Sequence, residues 1–450
     1  MTVPTWSKGE ALSSSTHRSL NILSVNFTDS GNGAANVAWA LFTGYRSQGH
    51  RSWLAVNQMK RRDVDLRYLH GLDRPARNPL APSPRLPAER LRAQQAGEDR
   101  VDYPGSWDLL DLVNHRVDIL HLHAFAGGYF DLRALPWLSQ HCRIIITVHD
   151  EWAFTGHCMY SFDCRRWEHG CGACPDLGIP HALTADGSAA NLARKAGIYR
   201  QSRYRVATPC RWMAERVQRS VLGQHAAEVR TILQGVDQTL YTPGDARQAR
   251  ERLGLPLDRP VVGMVAANLR GSPFKDLDNA LAALELVTAT HHPQPILVLA
   301  IGADGPPLHI GAIEVRPMGI VRDPAVLAMY YQAMDVFLHP ARQENMPVVL
   351  AEAQSCGVPV LATAVGGTAE AVSSLWPLPN VPAGADDEAT GILIPPAAPR
   401  PMADALIWLL TEPDLRRRLG ANAQMRAQRL FAAQATVDAY LHWFLEMLDE

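Results

Sequence analysis

Ten short, nearly unbroken apolar runs constrain this chain more than any other feature. The first five are Asn21–Asn26, Ser52–Val56, Val117–His123, Arg143–Val148 and Tyr204–Ala207. The second five are Val261–Val265, Pro295–Ile301, Ile313–Val315, Val336–Leu338 and Val358–Ala362. Runs of this kind, separated by helical or loop stretches, belong to parallel sheets buried on both faces. Between the two series lie Gln234-Gly-Val-Asp237 and Tyr241-Thr-Pro-Gly-Asp245, a turn-rich stretch that reads as a linker. The expectation is an α/β chain of two doubly wound, Rossmann-like domains, with a ligand cleft where the carboxyl ends of their strands face each other.

The boundaries drawn on this basis are an acceptor-side domain over residues 20–240 and a donor domain over residues 241–430. A flexible tail is expected over residues 1–19, and a final helix over residues 431–450 that packs back on the first domain. At 450 residues, 47% apolar and 20% charged, the chain is long for one core. A net charge of -2 gives no general attraction to nucleic acid. The first 20 residues lack the apolar stretch of a signal peptide, and no segment approaches a membrane span. These features suggest a cytoplasmic protein. Residues 57–105 are rich in Arg and Pro with weak periodicity, which suggests a mobile surface excursion.

Glu344 and Glu352 flank a predicted helix start. Asn345 would cap that helix, and Pro347 suits its first turn. At about 1.5 Å rise per residue the two carboxylates would stand on the order of 12 Å apart, enough to place a diphosphate between them. The free N–H groups of Met346, Pro347 and Val348's turn, Pro itself excepted, would face that diphosphate. Glu352 would then accept from the ribose hydroxyls while Glu344 faces a sugar. Near the start of the chain, Ser30-Gly-Asn-Gly33 follows a strand and precedes the helical stretch Ala34–Gln48, so Gly31 and Gly33 would let the backbone approach a ligand.

Two further clusters stand out. Cys158, Cys164, Cys171 and Cys174 fall within the loop 157–175, and Cys171-x-x-Cys174 has the spacing of a structural zinc knuckle, with His157 and His169 as spare ligands. Seven cysteines in a chain without an export signal argue against a disulfide framework. From Arg194 to Arg219 there are eight Lys or Arg and one acid, Glu215. That pattern suggests peripheral contact with the inner face of a membrane carrying a lipid-linked acceptor.

The second half resembles the donor domain of retaining GT-B glycosyltransferases of the group 1 type, over Tyr330–Pro340, Glu344–Glu352 and Ala353–Glu370. Gln234-Gly-Val-Asp237 is similar to that family's Asn-Gly-Val-Asp segment, with Gln234 in place of Asn. The first half resembles the exopolysaccharide subgroup, colanic-acid-like, over Thr147-Val-His-Asp-Glu-Trp-Ala-Phe-Thr-Gly-His-Cys-Met-Tyr160 and the cysteines that follow. The resemblance implies a nucleotide-sugar donor, UDP by default, a saccharide or lipid-linked acceptor, and no cofactor or metal for transfer.

It also implies roles for residues. Glu344 would contact the donor sugar and Glu352 the ribose, with Asn345 to Val348 lining the donor pocket. Lys275 would hold the diphosphate. Asn268 stands where many relatives carry Arg, and Arg270 would substitute for it. His149 would touch the donor sugar, with Asp150 turned to the opposite side, and Gly366 and Gly367 would line the donor pocket. No covalent nucleophile is implied.

A nucleotide-sugar epimerase on the same fold is the nearest alternative. A zinc-knuckle nucleic-acid module is disfavoured by the charge. A dinucleotide dehydrogenase is disfavoured because Asn36 stands where the third glycine of its fingerprint belongs.

Overall fold

The computed structural model describes residues 18–71, 74–83, 85–99, 102–126, 128–290, 295–378 and 387–450. Nearly all of the expected 1–19 tail therefore lies outside the described residues. The first sheet contains β1 (Asn21–Thr28), β2 (Arg51–Gln58), β3 (Leu66–Tyr68), β4 (Ile119–Leu122), β5 (Arg143–Thr147), β6 (Arg205–Thr208) and β7 (Val229–Thr231). Their order is β3-β2-β1-β4-β5-β6-β7, and every pairing is parallel.

The second sheet contains β8 (Val261–Val265), β9 (Ile296–Ile301), β10 (Leu308–Ile310), β11 (Ile313–Pro317), β12 (Val336–His339), β13 (Val360–Thr363) and β14 (Gly391–Ile394). Its order is β10-β11-β9-β8-β12-β13-β14, parallel except for the β10–β11 hairpin. Every residue of β4, β8, β9, β12, β13 and β14 is buried, which is why these strands read as apolar runs without alternation.

Strand order reverses between β1 and β4 in one sheet and between β8 and β12 in the other. A crevice opens at such switch points because the connections leave the strand ends on opposite faces. The loops leaving these four strands carry Gly31 and Gly33, Ala124 and Ala126, Asn268 and Lys275, and Glu344 to Pro347, and all of them line one cleft between the two sheets.

The chain crosses between domains twice, side by side. Val236 N donates to Phe431 O (2.9 Å) and Ala433 N donates to Val236 O (3.1 Å). Gly235 is required there, since a Cβ would lie 2.4 Å from Ala432 O. Helix Ala433–Asp449 then packs Val437, Tyr440, Leu441, Phe444 and Met447 against Leu20, Ile22, Leu41 and Tyr45 of the first domain. Burying five such side chains contributes several kcal/mol at about 1.5–3 kcal/mol each. Tyr440 Oη lies 2.8 Å from Thr147 Oγ1, which is 2.7 Å from His121 Nε2.

One expectation is corrected and another is narrowed. The described residues of 57–105 are not a free excursion: they contribute β3 and helix Pro87–Gln95, and buried side chains of the first domain anchor parts of their backbone. Asp29 accepts from Lys60 N and Arg61 N, and Asp108 accepts from Arg77 N and Asn78 N. The Arg and Pro composition concealed this because the anchoring carboxylates are distant in sequence or lie beyond the segment.

Within the stretch from Arg194 to Arg219 several of the cations are turned inward. Lys195 is buried and donates to Trp152 O and Thr155 O, and it pairs with Asp99. Arg216 is buried against Glu151, while Arg205 pairs with Glu450 and Arg211 with Glu370. Arg200, Arg203, Arg211 and Arg219 remain exposed. Among the described residues no helix is long and apolar enough to cross one.

Candidate functional site

The cleft has a volume of about 840 Å³, within the range of small-molecule sites. Its donor-side wall begins with Glu344. Burial alone would raise the Glu344 pKa, but Lys275 and His339 override it and bring the carboxyl down to about 2. Lys275 Nζ pairs directly with Glu344 Oε1, and His339 Nε2 lies 3.2 Å from the same oxygen. The pair joins the loop after β8 to the loop after β12, so it forms only when both switch-point loops are in place.

Helix Val348–Ser355 starts at Pro347, and no side chain caps it. This corrects the expected role of Asn345. Its Nδ2 donates to Val148 O (3.1 Å) across the domain boundary, and its Oδ1 accepts from Cys210 Sγ (3.3 Å). The physical reason is burial: Asn345 is enclosed by the first domain and its amide satisfies groups there. The helix N-terminus is consequently open toward the cleft, where Met346, Pro347, Val348 and Val349 form the lining. Glu352, the fifth residue of that helix, also lines the cleft. Burial raises its pKa, opposed by hydrogen bonds from Tyr331 and Tyr241, and Tyr331 Oη donates to Glu352 Oε2 at 2.7 Å.

The facing wall carries His149 at the end of β5. Burial lowers its pKa to about 4, so the ring is neutral near pH 7. Gln234 Nε2 lies 3.3 Å from His149 Nδ1, and His123 Nδ1 lies 3.1 Å from His149 Nε2. An amide nitrogen only donates, so His149 Nδ1 accepts and its Nε2–H donates to His123. With both nitrogens engaged, His149 has no free lone pair with which to act as a general base. Gln234, at the domain junction, is thus a member of the site that the sequence showed only as a substitution for Asn.

Asp150 is a second correction: it lines the cleft instead of turning away. It sits past the end of β5, where strand alternation no longer applies, and its Oδ1 accepts from Trp152 N (2.9 Å), which turns the chain. Burial raises its pKa to about 6. Met159 and Tyr160, the last residues of the Thr147–Tyr160 motif, also line the cleft, as does Arg61, which carried no readable motif.

Gly31 and Gly33 line the cleft, and a Cβ on Gly33 would meet no protein atom within 4 Å. Asn268 lines it as well, while its Oδ1 accepts from Gly271 N (2.9 Å). That tight turn leaves Arg270 exposed and outside the lining, which corrects its expected substitution for Arg at the phosphate. Gly366 and Gly367 are likewise outside the lining. They stand behind it: Gly367 N donates to Asn345 O (2.7 Å), and at Gly366, with φ +53°, a Cβ would fall 1.7 Å from Glu344 O. Their closeness to the Glu344–Asn345 backbone is a packing relation that no motif discloses.

The two domains meet along this cleft through polar contacts. Gln343 Nε2 donates to Glu151 Oε1 (3.0 Å). Glu370 accepts from Arg211 N (3.0 Å) and Trp212 N (2.8 Å), capping helix Arg211–Arg219 from the other domain. Cys158, Cys164, Cys171 and Cys174 are all free thiols in the loop beside this junction, and His169 is outside the small cavity they line.

Residues 259–412 match the family model described as glycosyl transferases group 1. The D-inositol 3-phosphate glycosyltransferase of Xylanimonas cellulosilytica is 34% identical over 238 residues, covering 48% of this chain and 52% of that protein. The protein of the same description from Segniliparus rotundus is 29% identical over 369 residues, covering 76% and 77%. This chain spans about half the length of the first curated relatives it matches. Among solved structures, Anabaena HepE in complex with UDP-glucose has a TM-score of 0.60 at 16% identity, covering 96% of this chain and 99% of that one. The fold is therefore GT-B, two Rossmann-like α/β domains facing across a cleft. The relatives' description does not single out the exopolysaccharide subgroup.

Proposed function

We propose that this chain is a group 1 glycosyltransferase that moves a sugar from a nucleoside diphosphate, UDP by default, to a hydroxyl of a saccharide or lipid-linked acceptor, with retention of configuration and without a divalent metal. The observation that carries this reading is the convergence of Lys275, Glu344 and the uncapped start of helix Val348–Ser355 on one cleft. Matching of residues 259–412 to the group 1 model supports it, as does the complex of the structurally similar HepE with UDP-glucose. The names of the curated relatives add an inositol phosphate to the acceptors worth testing.

In this account the diphosphate lies at the open helix N-terminus, whose N–H groups and dipole favour negative charge. Lys275 follows the charge that builds on the leaving phosphate. Glu352, held by Tyr331, accepts from the ribose hydroxyls. Glu344 is already paired with two cationic or polar neighbours, which suits positioning and electrostatic stabilisation more than covalent attack. The leaving phosphate oxygen takes the acceptor proton, in keeping with a His149 that has no free nitrogen.

The test is incubation with UDP-sugars and an acceptor panel in EDTA, reading nucleotide release and the anomeric configuration of the product by NMR. Acceptor-dependent UDP release with a retained anomer is expected. Inversion, or a strict metal requirement, would overturn those parts of the proposal, and conversion of the donor to an epimer without acceptor would replace it.

A further inference from the structure

Beyond the transfer site, the loop that runs from His157 to Pro175 encloses a second cavity, of about 10 Å³. That volume is near the lower bound for one water molecule, and it suffices for one bare cation. His157, Cys158, Cys164, Cys171 and Cys174 all line it.

His157 is fully buried, and its two nitrogens are unequally placed. Nδ1 lies 3.3 Å from His181 O, an acceptor only, so Nδ1 carries the proton. Nε2 is then a bare lone pair, and it is aimed at Cys174 Sγ 3.4 Å away. A histidine whose other nitrogen donates to a backbone carbonyl is the usual arrangement of a metal ligand. With Zn–S about 2.3 Å and Zn–N about 2.0 Å, tetrahedral ligands stand about 3.5 Å apart, which is the separation of this pair.

The backbone around the thiols is also held in place. Gly170, Cys171, Gly172 and Ala173 all have positive φ, at 113°, 58°, 87° and 46°. Gly172 N donates to Ser188 Oγ (3.1 Å) and Cys174 N to Asp186 Oδ2 (2.8 Å).

We infer that this cavity binds one structural zinc ion, through His157 Nε2, Cys174 Sγ and two of the thiolates of Cys158, Cys164 and Cys171. Among the described residues no three His, Cys, Asp or Glu side chains are already gathered around one point, so the thiols turn onto the ion as it enters. Their protons pass to solvent. The ion ties together a loop whose Met159 and Tyr160 line the transfer cleft, and whose Ser161 N donates to Glu151 Oε2 (2.8 Å). The zinc shapes one wall of the cleft and takes no part in sugar transfer.

The test is elemental analysis of the full chain, untagged and purified without chelator from zinc-supplemented cells, together with release by a mercurial reagent and a colorimetric zinc indicator. About one zinc per chain is expected, released as the thiols are titrated. His157→Ala and Cys174→Ser should each lower the content several-fold, and one of the three remaining Cys→Ser variants should keep it. Wild-type protein with no stoichiometric zinc, or with disulfides among these cysteines, overturns the inference even where the variants fail to fold. Full zinc retention in the His157→Ala, Cys174→Ser double variant overturns the ligand set.

Discussion

Lys275 and Glu344 form an ion pair between the loops that leave β8 and β12, so the two groups expected to handle leaving phosphate and donor sugar hold each other. The pair keeps Glu344 ionised and leaves Lys275 partly exposed to the cleft. Their roles can be separated by substitution. Glu344→Gln is expected to abolish transfer while leaving nucleotide affinity within a few-fold. Lys275→Ala should weaken UDP binding by about 10- to 100-fold, the worth of one charge-assisted hydrogen bond at about 1.5–3 kcal/mol. Calorimetry and turnover on the same preparations check both, and equal loss of both functions in both variants would contradict the division.

Glu352 is expected to act on the nucleoside half. Glu352→Gln keeps the side chain's shape and its contact with Tyr331, yet it replaces a carboxylate acceptor by an amide. Affinity for UDP should fall by about tenfold, with the same loss for UDP-sugar. A competition series including uracil-containing analogues without ribose hydroxyls should show no effect of the substitution.

Two glycines should behave oppositely. Gly33→Ala adds a methyl group where no protein atom lies within 4 Å, at the start of a helix, so stability should hold or rise by up to about 1 kcal/mol while transfer falls. Gly366→Ala forces a Cβ onto Glu344 O at a positive φ and should cost several kcal/mol. Urea denaturation and steady-state kinetics separate the two outcomes.

The pH response of His149 has a definite sign. Its folded pKa, about 4, lies below the ordinary value of 6.5. The unfolded chain therefore binds the extra proton between pH 6.5 and 4, and stability falls as pH drops through that window. His149→Gln should reduce the slope of stability against pH there by up to about 1.4 kcal/mol per pH unit. His121 and His123 shift in the same direction and leave a residual slope. An unchanged slope in urea titrations across that window would show that His149 is not held neutral.

Much of the fold was legible because buried parallel strands are apolar throughout, and each of the ten runs overlaps a strand. Four strands were missed: β3, β7 and β10 have three residues each and carry too short a pattern to register, and β14 is a four-residue apolar run, Gly391–Ile394. Residues of the strand-end loops that line the cleft were readable from motif and position, as with Glu344, Lys275, His149 and Gly33. Errors came where a side chain's direction depends on contacts, distant or local, that no motif discloses. Asn345 reaches Val148 instead of its own helix, Arg270 is turned out by a local hydrogen bond, and Asp150 follows a bend after its strand. Nor does the run of basic residues from Arg194 to Arg219 disclose which of them are paired, since the carboxylate partners Asp99, Glu151, Glu370 and Glu450 are distant in sequence.

The most direct test of the central claim is a thermal-shift panel of UDP, GDP and ADP in EDTA, run on wild-type protein and on Lys275→Ala. A nucleotide at one hundred times its dissociation constant adds about 2.7 kcal/mol to stability, a shift that is readily seen. The account predicts that one nucleotide, UDP by default, stabilises the wild type without metal and that the shift shrinks in Lys275→Ala. No shift with any nucleotide, or an equal shift in both proteins, would contradict a donor site built on the Lys275–Glu344 pair.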